Sequence, residues 1–315
     1  MRLLIKIWPL FVCTAIWLSF APVPDFTDMS EAEMGRKLFF DKRFSKNYKI
    51  SCADCHLPTH AFSDTTAFSK GFEGKITTRN APPLTNLSGR PYFFWDGRSP
   101  SLEDQVLHPI QHPVEMGMTL KELTKRLKAD KFYVKWFKKH YGKLPDANLA
   151  ARAIAAFERT LETGNAPIDR FMEGDSTAIS FSAMRGREIF TEKGKCFECH
   201  FTPDFTADEF KNIGLFNGKN LNDSGRFSVT KKTEDMGKFR VPGLRNVILT
   251  APYMHNGMFK TLEQVIDYYN EPAAVVPNAI NRDTLLNGRL NLSSQEKADL
   301  MAFLQTLTSA SASRK

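Results

Sequence analysis

Two short runs in this 315-residue chain hold reactive side chains at a fixed spacing: Cys52-Ala-Asp-Cys55-His56 and Cys196-Phe-Glu-Cys199-His200. Two thiols three positions apart, followed directly by an imidazole, suit covalent attachment of a porphyrin. The thiols form thioethers to the macrocycle edge and the adjacent histidine ligates its iron. A thioredoxin-like redox pair, a zinc site and two disulfides use similar spacings. Two copies in a chain that opens like an exported protein point instead to c-type haem, with two covalently bound haem c groups in all. The fifth cysteine, Cys13, falls in the N-terminal apolar run.

The segment before each motif also recurs, as "MGRKLFF" (34–40) and "RGREIF" (185–190), which reads as an internal duplication. Each copy predicts a short amphipathic helix leading into its attachment loop, the first opened by a capping box of Ser30 and Glu33. Apolar residues at three- and four-residue spacing predict further helices over 102–107, 119–142, 149–162, 181–190, 261–270 and 293–308, while strand-like alternation is scarce. The fold class expected is mainly α, with two c-type cytochrome domains related by duplication, each with one covalently attached haem. Residues 22–170 form the first and 171–315 the second, with the Ala-rich helix Leu149–Glu162 and a Gly, Asn and Pro loop between them.

Arg2, Lys6 and the apolar run "IWPLFVCTAIWLSFA" read as an export signal in residues 1–21, so the expected location is the periplasm. Ser19 and Ala21 form a small-x-small cleavage site, with Pro22 an unfavourable neighbour. An uncleaved N-terminal anchor is the alternative, and lipidation at Cys13 the minority reading. Hydrophobic residues at 42% and charged ones at 25% exclude a disordered or fibrous chain. Formal charge falls from +8 to +6 without the leader. The densest basic stretch, residues 125–139, reads as a solvated helix face, with an acidic docking partner as the alternative. Nothing resembles a nucleic-acid module.

Taken in order, "CADCH", "RNAPPLTN" (79–86), "FFWDGRSPSLEDQ" (93–105), "HPVEMG" (112–117), "CFECH", "RVPGLRNV" (240–247) and "APYMHNGMFKTLEQVIDYY" (251–269) resemble the bacterial di-haem cytochrome c peroxidases, including the MauG-like (methylamine-utilisation) branch. The likeness spans almost all of the chain beyond the leader. It implies that His56 and His200 are proximal iron ligands, that the N-terminal domain is peroxidatic and that the C-terminal one transfers electrons. Trp95 matches the tryptophan between the haems, Glu115 the distal acid/base and Gln105 its polar neighbour. Asn80, with the backbone oxygens of Thr250 and Pro252, matches an inter-haem Ca²⁺ site, for which oxygen ligands are suitable. Taken singly, Trp95 reads as a core aromatic, Glu115 and Gln105 as surface residues and Asn80 as a turn residue before Pro82.

Two positions depart from the classical branch. Where that branch has a distal histidine before the "RNAP" motif, this chain has Phe72, and a phenyl ring cannot ligate iron. His60 is expected to be a surface or propionate-contacting residue of the attachment loop. Nothing from the protein is then expected opposite His56. Fourteen residues after His255, where the classical branch uses methionine, stands Tyr269, as in the MauG-like branch. Leu262, Val265, Ile266 and Tyr269 predict one apolar helix face, with Tyr268 pointing elsewhere. Met254 or Met258 is the alternative ligand. An anionic phenolate favours higher iron oxidation states and a lower potential than a thioether.

The expected function is reduction of hydrogen peroxide to water without reductive activation, by a periplasmic enzyme fed by a small c-type cytochrome or cupredoxin. The rival is a MauG-like oxidase that uses peroxide equivalents to modify residues of a partner protein by long-range electron transfer. A non-catalytic electron carrier is disfavoured by Glu115, Gln105 and the missing distal ligand. A homodimer is compatible with the sequence.

Overall fold

The computed structural model describes residues 28–310; the leader read in residues 1–21 lies outside them. The described residues are mainly helical: α1 (Glu31–Phe39), α2 (Leu102–Gln111), α3 (Leu120–Ala129), α4 (Lys131–Tyr141), α5 (Ala147–Glu158), α6 (Pro167–Met172), α7 (Phe181–Thr191), α8 (Phe227–Thr230), α9 (Leu262–Asn270), α10 (Pro272–Val275) and α11 (Ser294–Gln305). A two-stranded antiparallel ribbon, β1 (Phe210–Lys211) with β2 (Phe239–Arg240), pairs Phe210 with Arg240 and Lys211 with Phe239. Among the described residues no helix is long and apolar enough to cross a membrane.

Local chemistry sets most helix ends. Ser30 and Glu33 form the predicted capping box at α1, and Ser293 with Glu296 form another at α11. The single helix expected over 119–142 is two. Asp130 leaves helical geometry (φ −95°, ψ 115°) and its carboxylate accepts the Phe132 N–H at 2.8 Å, so one residue ends α3 and caps α4. The helix expected over 102–107 runs on to Gln111 despite Pro109, and α6 and α10 were not predicted.

Helices α1 and α5 cross at Gly35, where a Cβ would lie 1.8 Å from the Ala153 carbonyl oxygen and 2.9 Å from Phe157 Cβ. Helices α7 and α11 cross in the same way at Gly186, where a Cβ would lie 1.9 Å from Asp299 O and 2.9 Å from Phe303 Cβ. Only a residue without a side chain permits these approaches. Each crossing is filled by three phenylalanines, edge-on to one another at the first and edge-on or tilted at the second. Phe39, Phe62 and Phe157 have centroids 5.3–6.1 Å apart at the first. Phe190, Phe205 and Phe303 lie 5.0–6.2 Å apart at the second. Contacts of this kind add to the burial of the rings. One apolar core runs from Met34 to Leu161 and a second from Ala166 to Leu307.

The face predicted for α9 is divided. Leu262 and Ile266 join the second core, whereas Val265 and Tyr269 pack on a third cluster around the fully buried Tyr268. The helix is covered on two sides, so a single apolar stripe does not describe it.

Candidate active site

Each attachment motif begins with one turn of 3-10 helix, Cys52–Asp54 and Cys196–Glu198, in which the histidine N–H donates to the first cysteine's carbonyl at 3.0 and 2.9 Å. His56 Nδ1 lies 2.8 Å from Phe62 O and His200 Nδ1 lies 2.9 Å from Phe205 O. A carbonyl only accepts, so Nδ1 carries the proton in both rings and Nε2 keeps its lone pair for a metal. Burial lowers the pKa of both imidazoles, which favours the neutral, ligating form. The four thiols are unpaired. Burial pushes Cys55 up to about 11 and Cys196 up to about 12, and raises Cys52 and Cys199 as well. Among the described residues no group of three or more His, Cys, Asp or Glu side chains is gathered to hold a metal ion.

Beside the first loop lies a cavity of about 870 Å³ whose wall includes Cys52, Cys55 and His56. That volume is in the range of cofactor pockets. Phe39, Leu84, Leu87, Leu102 and Val106 give it an apolar lining, and Trp95, Gln105 and Glu115 also face it. Arg240 reaches this cavity too, buried to 8% exposure, with its Nε no closer than 3.5 Å to Phe94 O. Burial pulls its pKa down to about 10. A buried guanidinium without a bonded carboxylate calls for an anion. Two thiols, a free imidazole Nε2, an apolar cavity and this cation together fit a covalently attached haem with its carboxylates.

Glu115 stands in the loop after α2, which is closed by bonds from Glu115 N and Gly117 N to His112 O at 3.1 and 3.0 Å. Burial raises the carboxyl's pKa, opposed by the charges of His112, Arg98 and His108. Phe72 holds this loop from behind: its N–H donates to Val114 O at 2.7 Å and Glu115 O at 2.8 Å. Its ring does not line the cavity and lies instead against Gly117, with Lys46 and Lys75 ammonium groups 5.7 and 5.5 Å from its centroid. Gly71 has no room for a side chain, since a Cβ would fall 2.1 Å from Val114 O.

His60 does not line the cavity, and its Nδ1 lies 2.9 Å from Thr59 Oγ1. Sequence reading missed His108 and His112, which do line it. Both side chains are nearly half exposed. His108 Nε2 is 3.3 Å from Asp104, and His112 Nδ1 is 3.6 Å from Glu115 and accepts the Val114 N–H at 3.4 Å.

Trp95 joins the two halves of the chain. Its Nε1–H donates to Asn80 O at 2.8 Å and its own carbonyl accepts the Arg240 N–H at 2.7 Å. Asn80 N donates to His255 O at 2.7 Å and its amide Nδ2 to Thr66 O at 3.1 Å, which leaves Oδ1 as the atom to offer a cation. Thr250 Oγ1 donates to Val247 O at 3.1 Å. Arg79 nearby holds Asp223 through two nitrogens (2.7 and 2.8 Å) and Asp96 at 2.6 Å. At the second loop, the Tyr269 phenol is raised by burial, with Tyr268, Cys196 and Cys199 adding to the effect. Met258 Sδ accepts from Asn256 at 3.7 Å.

The chain matches the di-haem cytochrome c peroxidase family over residues 29–177. It is 38% identical over 278 residues to the methylamine utilization protein MauG of Methylorubrum extorquens, covering 87% of this chain and 77% of the relative. It is 34% identical over 291 residues to the cytochrome c551 peroxidase of Nitrosomonas europaea, covering 91% and 82%. The crystal structure of a MauG-like protein associated with microbial copper homeostasis superposes with a TM-score of 0.79 at 34% identity, covering 92% of this chain and 93% of that one. The chain therefore belongs to the di-haem cytochrome c peroxidase family and is an oxidoreductase of that type. Membership implies two c-type haems.

Proposed function

We propose that this protein is a periplasmic di-haem peroxidase that reduces hydrogen peroxide to water with two electrons from a small redox protein, and does so without reductive activation. The observation that carries this reading is Phe72, whose backbone is bonded to the Glu115 loop while its ring turns away from the cavity. A phenyl ring at that position cannot close the iron. A haem at His56 would supply a redox-active metal with a position open to peroxide.

Around it, Cys52, Cys55 and His56 hold the first haem, and Cys196, Cys199 and His200 the second. Glu115 takes a proton from the near peroxide oxygen and returns it to the leaving one, with Gln105 orienting the substrate. The burial that raises the Glu115 pKa supports this role, because a more basic carboxylate accepts that proton more readily. Trp95, hydrogen-bonded on both sides where the halves meet, relays electrons. Tyr269 ligates the second iron, supported by its electrostatic proximity to Cys196 and Cys199. Asn80, Thr250 and Pro252 hold Ca²⁺. The two domains, 22–170 and 171–315, arose by duplication, a reading supported by the paired glycine crossings and phenylalanine triads; the second core already begins at Ala166, ahead of that boundary.

A second reading, oxidation of residues in a partner protein, is favoured by Tyr269 and by the 38% identity to a MauG protein. Electron paramagnetic resonance of the as-isolated diferric enzyme, followed by peroxide, tests the first. A high-spin beside a low-spin signal and immediate reaction are expected, and two low-spin signals would overturn it. Steady-state turnover with reduced cytochrome c separates the two, since the protein-modifying enzyme uses such donors poorly.

A further inference from the structure

The two helix crossings are built alike, and they differ at one buried position. Aligning Gly35 with Gly186 and Phe157 with Phe303 sets Glu158, the last residue of α5, against Leu304 of α11. Leu304 is an ordinary core residue, 7% exposed. Glu158 is 3% exposed, lines the first cavity and has no hydrogen-bond partner for Oε2. It stands close enough to Cys52 for its charge to oppose ionisation of that thiol. A carboxyl in such a seat costs more than a leucine unless something pairs with it, and the other half of the molecule shows that a leucine fills the same seat.

We propose that Glu158 is the proton-exchanging partner of the haem in the first cavity: its carboxyl loses a proton when that pocket loses an electron, and regains it when the electron returns. The inference rests on the haem assignment made above. Reducing peroxide to two waters takes two electrons and two protons: the first pocket would give one electron and Glu158 one proton, with the second electron coming from the second haem through Trp95 and the second proton from solvent, so the net charge of the first pocket is unchanged. Burial holds the carboxyl protonated, with its pKa pushed up to about 8. Two charged side chains act on it. Arg159, which follows the end of α5, favours the carboxylate, and Glu103 of α2 opposes it. These two pair with each other at 2.8 Å near the surface, which spends much of the arginine's charge. Cys52 faces Glu158 from the attachment loop and carries no charge once it is a thioether. A positive charge left in the pocket by electron loss would therefore find in Glu158 a buried, cavity-lining carboxyl whose Oε2 has no partner. At the second helix crossing the matching place holds Leu304, which has no such group.

The test is spectroelectrochemical titration of both haems in the holoenzyme across the pH range around 8, for the wild type, Glu158→Gln and Glu158→Leu. The wild-type potential of the first haem should fall as pH rises through that window, because the oxidised state favours the carboxylate. Both variants should lose this dependence at the first haem and leave the second unchanged. Redox-difference infrared spectra should show a protonated-carboxyl band lost on oxidation of the wild type and missing in Glu158→Gln. A flat wild-type potential, or a slope that survives in the variants, would overturn the proposal. Should Glu158→Leu fail to load haem, the near-isosteric Glu158→Gln decides alone. Peroxide turnover on the same samples tests the proposed function separately: no turnover with the Glu158-dependent slope intact overturns that function and supports this assignment.

Discussion

Phe72 and Glu115 are joined through the backbone, the N–H of the first donating to the carbonyl of the second at 2.8 Å. With the parallel bond to Val114 O, the segment that would carry a distal histidine becomes a strut for the segment that carries the proposed acid/base carboxylate. Each such bond contributes about 1 kcal/mol. Restoring the imidazole should not restore ligation, because the side chain at 72 points toward Gly117. In Phe72→His the first haem is expected to stay high-spin and the diferric enzyme to react with peroxide at a rate within about threefold of wild type. A new low-spin signal would show that the strut swings.

Glu115→Gln keeps the shape of the loop and removes the base. Its rate of reaction with peroxide should fall by about 10²–10⁴-fold. Burial raises the carboxyl's pKa, so the wild-type rate should drop on the acid side at a pH above the ordinary carboxylate range. The sign follows from the chemistry: the group must start ionised to accept peroxide's proton, so activity is present above its pKa and lost as pH falls through it. Rapid-mixing rates against pH should show this limb in the wild type and none in the variant.

The two Cys-x-x-Cys-His runs stood out in the sequence because their spacing suits covalent haem attachment, and the α1 cap was legible because Ser30 and Glu33 act on their own helix. What escaped depends on distant partners. Asp130 looked like one polar residue in a long amphipathic run, yet it caps α4 and pairs with Arg43. Arg240 was part of a motif, but its burial beside the cavity arises only when the two halves meet. Glu158 left a readable sign: it falls on the same helix face as Ile154 and Leu161, where an acid is out of place. His108 and His112 were not singled out, because only the fold brings the end of α2 and the loop after it to the cavity wall beside Glu115.

Tyr269 offers a way to alter the second haem alone. Replacing it with Phe removes the phenol oxygen while preserving packing against Tyr268, whose ring centroid lies 5.5 Å away. The low-spin resonance of the second haem should change or vanish, and the high-spin signal of the first should persist. Replacement with Met should raise the second haem's potential, as thioether ligation does relative to phenolate. An unchanged low-spin spectrum in Tyr269→Phe would move the assignment to Met254 or Met258.

The two glycine crossings predict where the chain tolerates no added methyl. Gly35→Ala sets a Cβ 1.8 Å from Ala153 O and Gly186→Ala sets one 1.9 Å from Asp299 O, and both neighbours are helix backbone that cannot move without parting the helices. Each substitution should destabilise by about 1–3 kcal/mol or more, as overpacking does. Gly164 has open space around its Cβ position, so Gly164→Ala serves as a control near neutrality. Thermal unfolding followed by helical circular dichroism, with haem absorbance read in parallel, should show both crossing variants melting early and the control close to wild type. Because the first crossing supports Phe39 and Phe62, and Phe62 O holds the His56 ring, Gly35→Ala should also loosen the first haem's proximal ligation before global unfolding. Gly186→Ala should do the same at the second haem through Phe205 and His200.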